Sequence, residues 1–228
     1  MYWKVCLMKI SSFFRFGSVI GLIAPLLAGC STLLERPEEV VTYRLSAPIE
    51  SLSKMGAPTL DDALRIYTVV AASGFDTARM AYSRQPQELV YYTRSRWVAP
   101  PAELLFDVFK QSFDAFDGFR TVVGPDSRLS ARWGMRVELN ELTHQFIQGG
   151  SVARLEIVVS LIEVPERTVV KTLTIRTSEP VTTSNARGFA QAADRAVHRA
   201  ILEAVPFVYN EVARIVKESD VKVSPARE

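Results

Sequence analysis

The feature that most constrains the fold is a run of alternating apolar residues between positions 133 and 175. Apolar side chains take every second position in residues 133–139 and 153–161, and the pattern returns at Val169, Leu173 and Ile175. A period of two is typical of strands with one buried face. The first pattern continues to Phe146, so only the short turns 149–150 and 165–167 separate the predicted strands. The segments therefore predict three antiparallel strands in a meander.

The alternation slips by one residue inside the first of these strands. Beyond Asn140 and Glu141 the pattern resumes at Leu142, His144 and Phe146. An extra residue on one strand of a pair produces such a slip, so we expect a β-bulge at Asn140–Glu141.

Two segments show the period of a helix instead. The first opens at Pro100–Pro101, where proline is tolerated in a first turn, and Gly118 is placed to end it. Its apolar face carries Leu105 and the phenylalanines Phe106, Phe109, Phe113 and Phe116. Such a stripe is typical of core packing more often than of a lipid-facing groove.

The second helix begins near Ser184–Asn185, which are good N-cap residues. Pro206 is expected to kink this helix or to divide it in two. Small alanines in its stripe would let it lie close to a sheet. The stripe comprises Phe189, Ala193, Ala196, Ala200, Ile201, Ala204 and Val208.

The first half of the chain carries shorter strand patterns. Residues 41–46 and 64–70 are predicted strands, joined by a polar connection over 48–62. Residues 79–84 and 89–94 flank Gln85–Gln87 and predict a hairpin. Strands and helices thus follow one another in separate groups. This order predicts an α+β fold in which two helices cover one face of an antiparallel sheet.

The N-terminus has the order of a secretory signal. Lys4, Lys9 and Arg15 precede a short apolar run over residues 16–28. A membrane-spanning helix needs about 20 apolar residues, and this run is shorter and contains glycines and a proline. A transmembrane anchor is therefore the disfavoured alternative.

The run ends in Leu27-Ala28-Gly29-Cys30, which resembles the lipobox of bacterial lipoproteins. We expect cleavage between Gly29 and Cys30 and a covalent lipid on Cys30; the alternative is an ordinary signal with a chance cysteine. Cys6 lies in the removed part, so Cys30 is the one cysteine of the mature chain. Ser31 favours the outer membrane over the inner under the sorting rule of enteric-type bacteria, with the protein facing the periplasm.

These patterns divide the chain into four parts. We predict a signal peptide over 1–29, a lipidated N-terminus and tether over 30–40, one α+β domain over 41–220 and a flexible tail over 221–228. The tether has no clear apolar period and contains a proline and three glutamates.

Little in the sequence indicates catalysis. His144 and His198 stand apart from any cysteine or carboxylate at ligand spacing, so we predict no metal site, no catalytic residue and no cofactor beyond the lipid. Asp107, Asp114 and Asp117 are expected on a solvated face opposite the phenylalanines. A net charge of only +2 gives no electrostatic case for nucleic acid.

One stretch combines the residue types favoured at protein interfaces, arginine and tyrosine. It is either a partner-binding edge, for a protein or for phospholipid headgroups, or the exposed sides of an ordinary hairpin. The candidate residues are Arg79, Tyr82, Arg84, Tyr91, Tyr92 and Arg94.

From about residue 30 to 215 the chain resembles the ABC-type transport auxiliary lipoproteins. Tyr43-Arg44-Leu45 matches their opening "Y-x-L" strand, and Leu64-Arg65-Ile66 stands where their second strand begins. Gly74-Phe75-Asp76 is similar to their linking segment. The most specific match is Arg96-Trp97-Val98-Ala99-Pro100, like their "W-x-x-P" lead into a helix; we expect Trp97 in the core at this corner.

The resemblance implies a binding partner rather than an enzyme. Such lipoproteins accompany envelope systems that move lipids or other hydrophobic molecules, built from an MCE-domain periplasmic protein, a permease and an ATPase. The ATPase would be another subunit, because this chain has no phosphate-binding loop. The alternatives are an assembly lipoprotein of the outer membrane and a lipid-anchored hydrolase.

Overall fold

Residues 39–223, which a computed structural model describes, fold into a mixed sheet with helices on one face. In this part of the chain the strands are β1 (Val41–Tyr43), β2 (Leu60–Ile66), β3 (Val70–Ala71), β4 (Arg79–Ser83), β5 (Val90–Trp97), β6 (Phe119–Val123), β7 (Trp133–Ile147), β8 (Gly150–Glu163) and β9 (Thr168–Pro180). The helices of the same residues are α1 (Ile49–Ser53), α2 (Pro101–Phe116) and α3 (Ala186–Val223).

The predicted meander is confirmed as the longest part of the sheet. β7 pairs antiparallel with β8 from Trp133 opposite Glu163 to Ile147 opposite Gly150, and β8 pairs antiparallel with β9. The register of β7 and β8 shifts between Leu139 and Glu141. This confirms the β-bulge, because one strand carries an extra residue there.

The other edge of β7 is paired in parallel. β2 lies along Trp133–Met135 of β7, β3 along the middle of the strand, and β4 along residues 143–145. β6 joins β2 in parallel, while β5 joins β4 antiparallel and β1 joins β5 in parallel. The α+β class is therefore confirmed, but the sheet is mixed. Alternation along one strand shows its buried face and not the direction of its neighbour.

Several boundaries in the first half differ from those predicted. β1 ends at Tyr43, and the predicted strand 64–70 is divided into β2, which begins earlier at Leu60, and the separate β3. The polar connection 48–62 contains the short helix α1. The strand β6 was not predicted, because its five residues lack an alternation of their own: only Phe119 and Val123 are buried.

Helices α2 and α3 share one core with the sheet. The predicted core role of Trp97 is confirmed: its side chain is buried, and its ring lies 5.7 Å from that of Phe189 on α3. The α3 stripe is confirmed as well, since every predicted member is buried. These are Phe189, Ala193, Ala196, Ala200, Ile201, Ala204 and Val208.

Helix α3 runs through Pro206 as one element, so it is not divided there. It ends at Val223, inside the segment predicted as a tail, and residues 224–228 lie outside the described part. On α2, Phe109, Phe113 and Phe116 are buried and Phe106 is half-buried. The exposed aspartates confirm the predicted solvated face; they are Asp107, Asp114 and Asp117.

The end of α2 depends on two residues rather than on Gly118 alone. The helix stops at Phe116, and Asp117 takes the left-handed conformation with φ of 55°. Gly118 is needed for space. A Cβ there would lie 2.4 Å from the Phe116 ring and 2.9 Å from the Tyr209 ring, both well packed.

A single arginine organises the loop between β6 and β7. The half-buried guanidinium of Arg65 donates hydrogen bonds to four backbone carbonyl oxygens, at distances of 2.6–3.1 Å. The acceptors are Gly124, Pro125, Ser127 and Leu129. The loop is thus folded around a side chain of β2, which lies in the predicted Leu64-Arg65-Ile66 segment.

We predict that Arg65→Met lowers the free energy of unfolding by about 2–4 kcal/mol, because it leaves partly buried carbonyls without donors. Urea unfolding followed by circular dichroism measures this. The control is Arg120→Met, whose ion pair with Asp61 joins side chains that are 63% and 93% exposed. Its cost should stay within about 0.5 kcal/mol, and equal costs for the two variants would contradict the prediction.

Candidate functional site

The six candidate partner-binding residues lie on β4, β5 and the start of their turn, but on two faces of the sheet. The Tyr92 hydroxyl lies 2.7 Å from Nδ1 of buried His144, whose ring stacks on Phe189 of α3 at 5.2 Å. Tyr92 therefore points to the face that the helices cover. Tyr91, its neighbour along the strand, points to the open face.

On the covered face, Tyr82 and Tyr92 join an aromatic cluster. We use this name for Tyr82, Tyr92, His144, Phe146 and Phe189. The Tyr82 ring lies 5.0 Å from the Tyr92 ring and 6.1 Å from the Phe146 ring. The exposed guanidinium of Arg84 lies over this cluster, 5.1 Å from the Tyr82 ring. A cation over an aromatic face at this distance is attracted by the ring electrons.

His144 is the buried polar centre of the aromatic cluster. Its side chain is 0% exposed, and within the described residues its Nε2 has no hydrogen-bond partner. Burial lowers the pKa of His144 to about 4, since a charged imidazole would lose its hydration there. Burial, with a smaller effect of Tyr82, raises the pKa of Tyr92 to about 12. Both groups are consequently neutral near pH 7.

On the open face lies a second group, which we call the hairpin outer surface: Arg79, Tyr91, Phe75 and Leu89. The Arg79 guanidinium lies 3.9 Å from the centre of the Tyr91 ring, and the Tyr91 hydroxyl donates to the Gly74 carbonyl at 3.0 Å. Leu89 is 40% exposed. Phe75 and Leu89 line a shallow hollow of about 270 Å³.

Arg79 on β4 also faces Arg96 on β5, and Arg94 is exposed on β5. The structure thus brings together Arg79 and Tyr91, and separately Tyr82, Arg84 and Tyr92. The sequence prediction grouped all six residues because it followed the chain rather than the faces of the strands.

A third group, which the sequence analysis missed, brings Ser46 to the side of α3. Asp194 accepts hydrogen bonds from the Ser46 backbone N–H at 2.7 Å and from its hydroxyl at 3.0 Å. His198 Nε2 lies 2.9 Å from the same hydroxyl. The four-residue spacing of Asp194 and His198, which the sequence analysis overlooked, places both side chains on one helix face. Nothing local indicated Ser46.

This group contains serine, histidine and aspartate but lacks the geometry of a hydrolase triad. In such a triad the aspartate binds the imidazole nitrogen that is remote from the serine. Here Asp194 binds the serine itself and lies 3.6 Å from the same Nε2 that faces the hydroxyl. Ser46 is therefore held by Asp194 through both its backbone N–H and its hydroxyl, and the three side chains do not form the relay of a triad.

Residues 39–223 show neither a metal centre nor a membrane span. No three histidine, cysteine or acidic side chains come together there as potential metal ligands. No helix of these residues is both long and apolar enough to cross a bilayer. The predicted cleavage and lipidation residues Gly29 and Cys30 lie outside the described residues, as do the signal peptide and most of the tether.

Comparison with known proteins gives the family. The model of the ABC-type transport auxiliary lipoprotein component matches residues 43–204, well over half of the chain. The protein belongs to this family, which is an accessory component of transport systems. The residues that carried the sequence resemblance from Tyr43 to Pro100 lie inside the match.

Solved structures share the fold. Protein XCC0632 from Xanthomonas campestris, of the DUF330 family, superposes with a TM-score of 0.66 at 16% identity, covering 78% of this chain and 98% of its own. An uncharacterized protein superposes with a TM-score of 0.59 at 10% identity, covering 75% and 99%. Comparison with curated protein sequences finds no significant match.

We predict that His144 makes the fold sensitive to acid. Its pKa is about 4 in the folded chain against 6.5 for the free group, so the unfolded chain binds the extra proton between these values. The free energy of unfolding should then fall as the pH drops from 6.5 to 4, by up to about 3 kcal/mol.

Urea unfolding at several pH values tests this. The double variant Tyr92→Phe, His144→Phe removes both partners of the hydrogen bond, and it should lose this part of the pH dependence. His198→Gln, at the only other histidine of the chain, should retain it. An unchanged pH profile in the double variant would refute the assignment.

Proposed function

We propose that this chain is the lipid-anchored, periplasm-facing accessory subunit of an ABC-type envelope transport system for lipids or other hydrophobic molecules. In this proposal it docks an MCE-domain protein, whose permease and ATPase complete the system. The observation that carries the proposal is the family match over residues 43–204. The partner subunits follow from the sequence resemblance.

The proposed anchor is the lipid on Cys30. The Leu27-Ala28-Gly29-Cys30 motif directly follows an apolar run, and Cys30 is the only cysteine after it. Several acyl chains on one residue give stable membrane attachment, where a single chain gives only marginal binding. Ser31 favours the outer membrane as the final location.

The hairpin outer surface is the proposed docking surface for the partner protein. Its Arg79 and Tyr91 are stacked on each other, and the Tyr91 hydroxyl donates to the Gly74 carbonyl, so little side-chain freedom is left to lose on binding. Arginine and tyrosine are enriched among the residues that dominate binding energy. Tyr92 makes a poorer contact, because it points to the face that the helices cover, where its hydroxyl meets His144.

We predict that Cys30→Ser abolishes lipidation, because serine cannot form the thioether to diacylglycerol. Fractionation of cells followed by mass spectrometry of the mature N-terminus measures this. Cys6→Ser is the matched control, and it should leave the protein lipidated. An unmodified Cys30 in the mass spectrum of the wild-type N-terminus would argue against the anchor.

We predict that Tyr91→Ala and Arg79→Ala each reduce partner recovery about tenfold or more. The measurement is a pull-down of the membrane-extracted chain with its lipid intact, with partners identified by mass spectrometry. Arg120→Ala, an exposed arginine on β6, is the control and should retain full recovery.

The wild-type pull-down also tests the function itself. An MCE-domain protein with its permease and ATPase is the expected result. Recovery of outer-membrane assembly factors in their place would overturn the transport proposal and favour the assembly alternative.

A further inference from the structure

The strand directions place the N-terminal attachment at one end of the sheet. β4 runs parallel to β7, β5 runs antiparallel to β4, and β1 runs parallel to β5. β1 therefore enters from the end of the sheet where β7 finishes. We call this the anchor end; it carries the β4–β5 turn, the β7–β8 turn and the start of α3.

The strand register also gives the position of Val41 along the length of β7. Val41 pairs with Ser95, beside the Arg79–Arg96 pair, and β4 reaches Thr143 of β7 through Ala81. Val41 is thus about 20 Å from the tip of the β7–β8 turn and about 30 Å or more from the opposite end, at about 3.3 Å per residue.

The length of the tether decides which end of the sheet can reach the membrane. Ten residues, 31–40, separate Cys30 from β1. Fully extended they span at most about 35 Å, and as a flexible coil about 17 Å. The anchor end can meet the membrane with chain to spare. The opposite end could meet it only with the tether almost fully drawn out along the domain.

The side chains of the anchor end suit a bilayer surface. Ile147, at the β7–β8 turn, is 49% exposed. At the same end, on the opposite face of β7, lie the half-buried rings of Tyr82 and Phe146, with the exposed Arg84 over them. Aromatic rings beside arginine are typical of the headgroup region, where the ring is half-immersed and the guanidinium meets phosphate.

We propose that the anchor end rests on the membrane that holds the Cys30 lipid, with Ile147 in the headgroup region and Arg84 at the lipid phosphates. This proposal rests on the lipidation in the proposed function. In this orientation the open face of the sheet stands roughly perpendicular to the bilayer. The hairpin outer surface is then not pressed against the membrane.

The test uses the full lipidated chain in vesicles of phosphatidylethanolamine and phosphatidylglycerol that contain a headgroup spin-labelled lipid. Because acylation blocks Cys30, Ile147→Cys carries the only free thiol of the mature chain and takes an environment-sensitive fluorophore. Glu166→Cys, in the exposed β8–β9 turn at the opposite end, is the matched control.

We expect the label at position 147 to be quenched several-fold more than the label at position 166. Equal quenching, or stronger quenching at 166, would overturn the orientation while the anchor stands. A chain that fails to float with the vesicles would overturn the anchor and this proposal together. Flotation and quenching thus separate the two failures.

Discussion

The fold depends on the use of both edges of β7. One edge pairs with β8 along its whole length, and the other takes three separate segments, β2, β3 and β4, in parallel. The first half of the chain has no long strand of its own in the described residues, so β7 supplies the edge on which these segments assemble. The helices then cover the face that the apolar residues of β7 and β8 share.

The same strand sets the position of the candidate surfaces. His144 on β7 bonds Tyr92 of β5 and stacks on Phe189 of α3, so one buried imidazole connects the meander, the hairpin and the helix. The hairpin is thereby fixed with Tyr91 and Arg79 on the open face. A docking surface built on two strands is held more rigidly than one built on loops.

Local patterns predicted the second half of the chain well because its contacts are local. The meander, the bulge at Asn140–Glu141 and the N-cap of α3, where Asn185 Oδ1 accepts from Gly188 N–H at 2.9 Å, all involve neighbouring segments. The parallel pairs and the Ser46–Asp194 contact join residues far apart in sequence, and no local period encodes them. The division of the arginines and tyrosines between two faces likewise required the register of β4 and β5.

The contact between Ser46 and Asp194 has a mechanical consequence for a chain that is pulled from its N-terminal side. β1 pairs with β5 over only three residues, so a force along the chain loads a short edge strand in shear. Three residues later, Ser46 is attached through its backbone and its hydroxyl to α3. A pull from the N-terminal side would therefore load β1 first, and the Ser46 contact would keep the separation from spreading along the chain past Ser46.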